Sequence, residues 1–465
     1  MVLKPDKPNS SKLVQSLMLK DVKSPPIWFQ AATSTPTIIT IQAPNLFFSG
    51  LFQLVLLLKS METPKNLDQN DVLEKKKPIN STRKSFIGKK MSCFRSSDHG
   101  YPTVEEVDVD GNVDMESAST DKHHSPTHLV VMVNGLIGSA KDWRYAAKQF
   151  LKKYPNDLIV HCSKCNSALA TLDGVDVMGT RLADEVISVI QRHPNLHKIS
   201  FIGHSLGGLI ARYAVAKLYT QDCANESCER NGNAEKLEQS VTEVELEQKS
   251  NGKIGGLEPI NFITVASPHL GSRGHRQVPM FCGIRSLERL GYHTSGVLRR
   301  TGRHVYLKDK IDGQPPLLVR MASDTEDLKF ISALQSFKRR VVYANVLSDH
   351  LVGWSTSSIR RRSELPKRKN LARSGRYPHI MKEGGVDTPK HEGSIDQANS
   401  HKTKTASMEE TMIRGLSKLC WERVDVSFKG SKQRYLAHNT IQVNNPWMNS
   451  DGADVIQHMV DNFFV

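Results

Sequence analysis

Aromatic residues are scarce in this chain. Phe, Trp and Tyr make up 6% of its 465 residues, and all hydrophobic types together only 38%. A share that low excludes a single core running the whole length, so part of the chain lies outside any core. Long apolar runs are also missing. No stretch of 18 residues is free of polar breaks, which excludes a polytopic membrane protein. Cysteines number seven, a small and odd count that argues against a secreted disulfide scaffold and for a reducing compartment. Acids run short against bases, 48 to 63, giving a formal net charge of +15.

The excess of bases is uneven. Arg360, Arg361, Arg362, Lys367, Arg368, Lys369, Arg373 and Arg376 crowd together against one acid, Glu364. Such a block reads as a solvated stretch, and more sharply as a surface for anionic lipid head groups. No zinc-finger spacing or aromatic ribonucleoprotein pattern accompanies it, so no nucleic-acid partner is expected.

Order is expected from about residue 126. Residues 1–60 are poor in acids and rich in Ser, Thr and Pro, with an apolar run from Leu46 to Leu58 too short to span a bilayer comfortably. They fit either a plastid transit segment or an extension upstream of a start at Met61. Residues 62–126 lack apolar periodicity and read as disordered. A chain starting at Met61, or even near Ser125, is therefore expected to fold with full activity. Beyond that point the pattern alternates. Strands are expected at His128–Val133, Leu158–His161, Lys198–Gly203, Ile260–Ala266, Arg340–Val346 and Trp421–Phe428. Helices are expected at Asp142–Lys153, Val175–Arg192, Leu206–Tyr219 and Ala453–Phe464. Alternation at this spacing predicts an α/β domain over 126–465, a mostly parallel sheet with helices on both faces. Two insertions, about 221–258 and 359–405, are polar or basic and read as mobile loops at the sheet rim.

Gly203-His204-Ser205-Leu206-Gly207 is the central motif. Gly-x-Ser-x-Gly alone is common, but here an apolar strand precedes it and an apolar helix follows. Ser205 then sits on a strained strand-to-helix turn that lifts its hydroxyl above the sheet. Side chains at Gly203 and Gly207 would clash across the turn. The helix start at Leu206 aims backbone N–H groups at a developing oxyanion. His204 is expected to pack beside the nucleophile.

The segments HLVVMVNGLIGSAKDW, FIGHSLGGLIARYA and TVASPHLG resemble the plant "putative serine esterase" family of the lipase-like α/β-hydrolase superfamily, from about His128 to Val465. The resemblance implies an α/β-hydrolase fold and ester hydrolysis through an acyl-enzyme. Where such lipases carry His-Gly after the first central strand, this chain has Asn134-Gly135-Leu136. The oxyanion donors are then the N–H groups of Leu136 and Leu206. The superfamily order Ser…Asp…His puts the acid at Asp349, after the strand ending at Val346. It puts the base at His438, between the last strand and last helix. Of the chain's 18 histidines, His458 and His350 read as packing or loop residues, and His269 as part of the pocket wall. Asp324 and Asp327 are worse placed than Asp349. Segments Leu287–Arg303 and Leu317–Met321 stand where lipases build a lid.

No metal or organic cofactor is required. Cys162 and Cys165 form a C-x-x-C, but Cys223 and Cys228 are spaced differently, and nothing joins the pairs into a zinc site. The function expected is a serine esterase or lipase acting on small or acyl lipid esters in the cytoplasm, peripheral to membranes. An acyltransferase or thioesterase would use the same triad, and a non-catalytic lipid-binding scaffold would need none of it.

Overall fold

A computed structural model describes residues 103–107, 113–117, 125–221, 252–273, 277–278, 292–293, 295–311, 313–383 and 404–465. Ten strands make one sheet: β1 (Thr103–Val107), β2 (Val113–Ser117), β3 (His128–Val133), β4 (Leu158–Cys162), β5 (Lys198–His204), β8 (Glu258–Val265), β9 (Arg339–Asn345), β10 (Leu371–Arg373), β11 (Ile380–Glu383) and β12 (Glu422–Val426). A separate hairpin joins β6 (Tyr219–Gln221) to β7 (Gly252–Ile254). The sheet order is β1-β2-β4-β3-β5-β8-β9-β12-β11-β10. Strands β4, β3, β5, β8, β9 and β12 run parallel, and antiparallel pairs close both edges. An antiparallel second strand, the 4-3-5 reversal and a parallel run beyond it are the α/β-hydrolase order.

The central strands are apolar on both sides because helices cover both faces. Alternate residues of β3 divide between two cores. Leu129, Val131 and Val133 face α2 (Val175–Arg192) and α3 (Leu206–Leu218). Val130 and Met132 face α1 (Arg144–Lys153) and the carboxyl-terminal helix α10 (Ala453–Asp461). Between them lie α4 (Arg299–Val305), α5 (Leu317–Arg320), α6 (Phe330–Gln335), α7 (Trp354–Ser358), α8 (Lys404–Leu416) and the one-turn α9 (Ala437–Thr440). No helix among the described residues is long and apolar enough to cross a membrane.

Three expectations need correction. Order does not begin at His128, because β1 and β2 form a hairpin that pairs with the edge of β4. Their sequences, TVEEV and VDMES, are short and acidic, with only Val113 and Met115 alternating in β2, too brief a pattern to stand out within a polar stretch. A chain cut near Ser125 would strip that edge, whereas a start at Met61 keeps it. Second, the basic stretch is not a free loop through its whole length. Residues 359–383 carry β10 and β11, and their bases find distant acids. Arg360 grips both oxygens of Asp425 at 2.8 and 2.9 Å, Arg361 reaches Glu410 at 2.8 Å, and Arg376 reaches Asp461 at 2.8 Å. Partners 49 to 85 residues away are invisible to a reading of local charge. Lys367, Arg368 and Lys369 remain exposed. Third, the expected lid helices at 317–321 are core: Leu317, Leu318 and Val319 are buried. Residues 287–291, 384–403, 222–251 and 1–102 lie outside the described residues.

Candidate active site

β5 enters the elbow as a buried strand, and α3 starts immediately after Ser205. Ser205 has φ 53° and ψ −122°, a left-handed conformation that costs a non-glycine residue about 1–3 kcal/mol. The turn is possible because its neighbours lack side chains. A Cβ on Gly203 would lie 2.7 Å from Gly208, and one on Gly207 would lie 2.3 Å from the Val133 carbonyl oxygen. The Ser205 N–H donates to the Val265 carbonyl at 2.8 Å, tying the elbow to β8.

His438 and Asp349 reach Ser205 from beyond the carboxyl ends of β12 and β9, which run parallel to β5. Ser205 Oγ lies 2.9 Å from His438 Nε2, and His438 Nδ1 lies 2.9 Å from Asp349 Oδ2. The three residues span 233 positions of sequence. Asp349 is fixed from several sides. Its Oδ1 accepts the N–H groups of Leu351 (3.0 Å) and Val352 (2.9 Å), and its Oδ2 also accepts Asn345 Nδ2 at 2.9 Å. One oxygen thus closes the turn after β9 while the other faces the imidazole. Burial works to raise the Asp349 carboxyl. The His438 charge and the hydrogen bonds from His438, Val352 and Asn345 outweigh it and hold the group below its ordinary value. It is therefore an anion suited to orienting an imidazole.

Two further residues support this arrangement, of which Asn345 was not named from the sequence. Asn345, the last residue of β9, also donates to the Ala437 carbonyl at 3.2 Å, tying the acid turn to α9. His204 donates from Nε2 to the His438 carbonyl at 2.7 Å, and their rings lie 4.7 Å apart. Burial, then the neighbouring His438 charge, push the His204 imidazole down to about 3, so it is neutral. A polar residue ending a buried strand was the available signal for Asn345. For His204 it was a histidine inside the elbow.

The loop expected to carry the second oxyanion donor is Asn134-Gly135-Leu136. The Gly135 carbonyl accepts both Asn134 Nδ2 and the Gly138 N–H, each at 3.1 Å. In a trans peptide the N–H points away from the carbonyl, so the Leu136 N–H is turned to the opposite side. Asn134 is buried and donates again to the Asn166 carbonyl at 2.9 Å. The loop also lies against the nucleophile: a Cβ built on Gly135 would be 3.0 Å from Ser205 Cβ. Next to it, the Ile137 N–H is taken by Thr171 Oγ1 at 2.9 Å. Leu136 follows that glycine and Leu206 follows Ser205 directly, so both main chains lie close to Ser205.

The other histidines stand apart. His458 Nδ1 lies 2.9 Å from the Tyr343 hydroxyl, and His350 stacks on Tyr435. His269 is fully buried and bonds Thr264 at 2.8 Å, so it is a core residue and not pocket wall. Asp324 caps the start of α6 through Ile331 and Ser332. Cys165 Sγ accepts from Asn166 at 3.2 Å, and burial raises its thiol. Cys223 and Cys228 lie outside the described residues.

Fold and site together define an α/β-hydrolase with a Ser–His–Asp line at a nucleophile elbow. The chain belongs to the family described as "Putative serine esterase (DUF676)", whose model matches residues 123–359, just over half of it. That span holds Ser205 and Asp349 but ends before His438. "Putative lipase ROG1" of Saccharomyces cerevisiae is 32% identical over 236 residues, 50% of this chain and 28% of that protein. "Putative lipase YDL109C" of the same yeast is 29% identical over 265 residues, 56% of this chain and 33% of that protein. The chain thus spans about a third or less of the length of these curated relatives. Among solved structures, an esterase of Pyrococcus furiosus is 13% identical, with a TM-score of 0.32, covering 77% of this chain and 90% of that one.

Proposed function

We propose that this chain is a serine hydrolase that cleaves carboxylic esters of acyl lipids. The observation that carries the reading is the unbroken line from Ser205 Oγ to His438 to Asp349, with both contacts at 2.9 Å. His438 Nε2 takes the Ser205 proton as Oγ attacks the ester carbonyl. Asp349 holds the Nδ1–H tautomer and stabilises the imidazolium that forms. The carbonyl oxygen becomes an oxyanion between the Leu136 and Leu206 N–H groups, where donors fixed beforehand are worth most. His438 then gives its proton to the alcohol, which leaves, and a water activated by the same base releases the acid.

The relatives' printed names support an acyl lipid substrate. We place the enzyme in the cytoplasm, peripheral to anionic membrane or droplet surfaces, with Lys367, Arg368 and Lys369 facing the lipid. If changing those three to Gln leaves binding to anionic vesicles and its salt dependence unaltered, this contact is wrong. The test of the chemistry is Ser205→Ala. Hydrolysis of p-nitrophenyl butyrate should fall by at least about 10⁴-fold with the melting temperature preserved. Activity retained by the variant would assign the nucleophile elsewhere.

A further inference from the structure

The segment that carries His438 also carries the most exposed aromatic side chain among the described residues. Trp447 is 95% accessible and Met448 55%, whereas Trp143, Trp354 and Trp421 are buried. The turn that presents them is firmly built. The Asn445 carbonyl accepts the N–H groups of Met448 (3.1 Å) and Asn449 (2.8 Å), and Asn445 Oδ1 accepts the Trp447 N–H at 3.0 Å. The buried Asn449 donates to Thr440 Oγ1 at 3.0 Å, and Thr440 stands on α9 with His438. From the other side, Gln433 Nε2 donates to Ser450 at 2.9 Å and its Oε1 accepts the Asp451 N–H at 3.0 Å. Residues 431–435 and 445–451 therefore form one laced platform. Tyr435 on it is 40% exposed and stacks on His350; Leu351, on the acid turn, is 48% exposed.

Hydrogen bonds that hold an indole and a thioether out in water suit side chains whose partner is an apolar phase. Indole, with an apolar body and one N–H donor, matches the boundary between head groups and acyl chains. The charges agree. Lys429 and Lys432 are exposed and Arg434 lies over the Tyr435 ring, while Asp451, the acid of the platform, is turned onto Ser431. We propose that Trp447 and Met448 are the insertion point by which this protein settles on a lipid layer bearing anionic head groups. Through Asn449 and Thr440 that insertion point is tied to the helix that carries His438. This rests on the reading of the chain as a lipid ester hydrolase, and it adds the surface that brings enzyme and lipid together.

The test uses the full chain carrying Ser205→Ala, so binding is read without hydrolysis. Flotation with phosphatidylcholine vesicles, with and without phosphatidylserine, should show binding that Trp447→Ser weakens by at least about tenfold. Ile187→Ser, which removes an exposed apolar side chain on α2, should leave it unaltered. In a Trp28→Phe background, which removes the tryptophan that lies outside the described residues, brominated phosphatidylcholine should quench the remaining tryptophan fluorescence, and adding Trp447→Phe should abolish that quenching. Equal binding by Trp447→Ser, quenching that survives Trp447→Phe, or no vesicle binding at all would overturn the proposal. So would a concentration-dependent dimer that Trp447→Ser dissolves, since a second copy would then be the occupant. If wild-type protein hydrolyses no ester yet these binding results hold, the hydrolase reading fails and the lipid surface stands.

Discussion

Ser205 stands on a segment fixed largely by its own neighbours, whereas His438 stands on one fixed by residues far away in sequence. The elbow is a strand, a strained turn and a helix within a short run, made possible by glycines at 203 and 207. The His438 turn has no such local code. Its carbonyl is held by His204, its imidazole by Asp349, and the preceding carbonyl by Asn345, across separations of 234, 89 and 92 residues. The contrast teaches that a nucleophile can be specified by local backbone geometry, while its base is specified by the sheet order that brings distant strand ends together.

The largest effect that would sharpen this contrast falls on the acid. Asp349→Asn keeps the shape but allows the wrong His438 tautomer, and kcat should fall by about 10⁴-fold with little loss of stability. Asp349→Ala should lose as much activity and about 1–3 kcal/mol of stability, because the N–H groups of Leu351 and Val352 lose their acceptor. Urea unfolding of the two variants side by side separates the turn-closing oxygen from the imidazole-facing one. Equal stability would break that division of labour.

A smaller effect is expected at Asn134. With the Gly138 N–H still bonding the Gly135 carbonyl, Asn134→Ala should loosen the Leu136 N–H without abolishing it. We expect kcat to fall by about 10- to 100-fold while KM stays nearly constant. A change confined to KM would show that this loop binds substrate without serving the transition state.

Most of the parallel centre was legible in the sequence because its strands are buried on both faces and read as plain apolar runs. The elbow was legible for the reason given above. The edges were not. β1 and β2 are acidic, β10 and β11 lie in a basic stretch, and all four owe their place to main-chain pairing or to ion pairs across the sequence. Asp349, read from the sequence as the acid, also caps a turn: the two roles fall on its two oxygens. Asn345 and the side chain of Asn134 were missed because a lone amide at the end of a strand carries no spacing signal.

A separate effect falls on the pH dependence of folding. Burial pushes both His204 and His128 down to about 3 from an ordinary 6.5, assisted by His438 and Lys198 respectively. Between those values the unfolded chain binds more protons than the folded one. Stability is therefore full above about 6.5 and is lost as pH falls toward 3, at about 1.4 kcal/mol per pH unit for each site. His204→Gln should flatten the slope by about one proton in denaturant titrations at stepped pH. An unchanged slope would mean that His204 is not held neutral in the fold.

The most direct measurement is to label the wild-type chain with a fluorophosphonate probe and map the modified peptide by mass spectrometry. A serine made nucleophilic by His438 should carry the adduct at Ser205, and neither Ser205→Ala nor His438→Ala should label at a comparable rate. An adduct on another residue, or undiminished labelling of His438→Ala, would contradict the account.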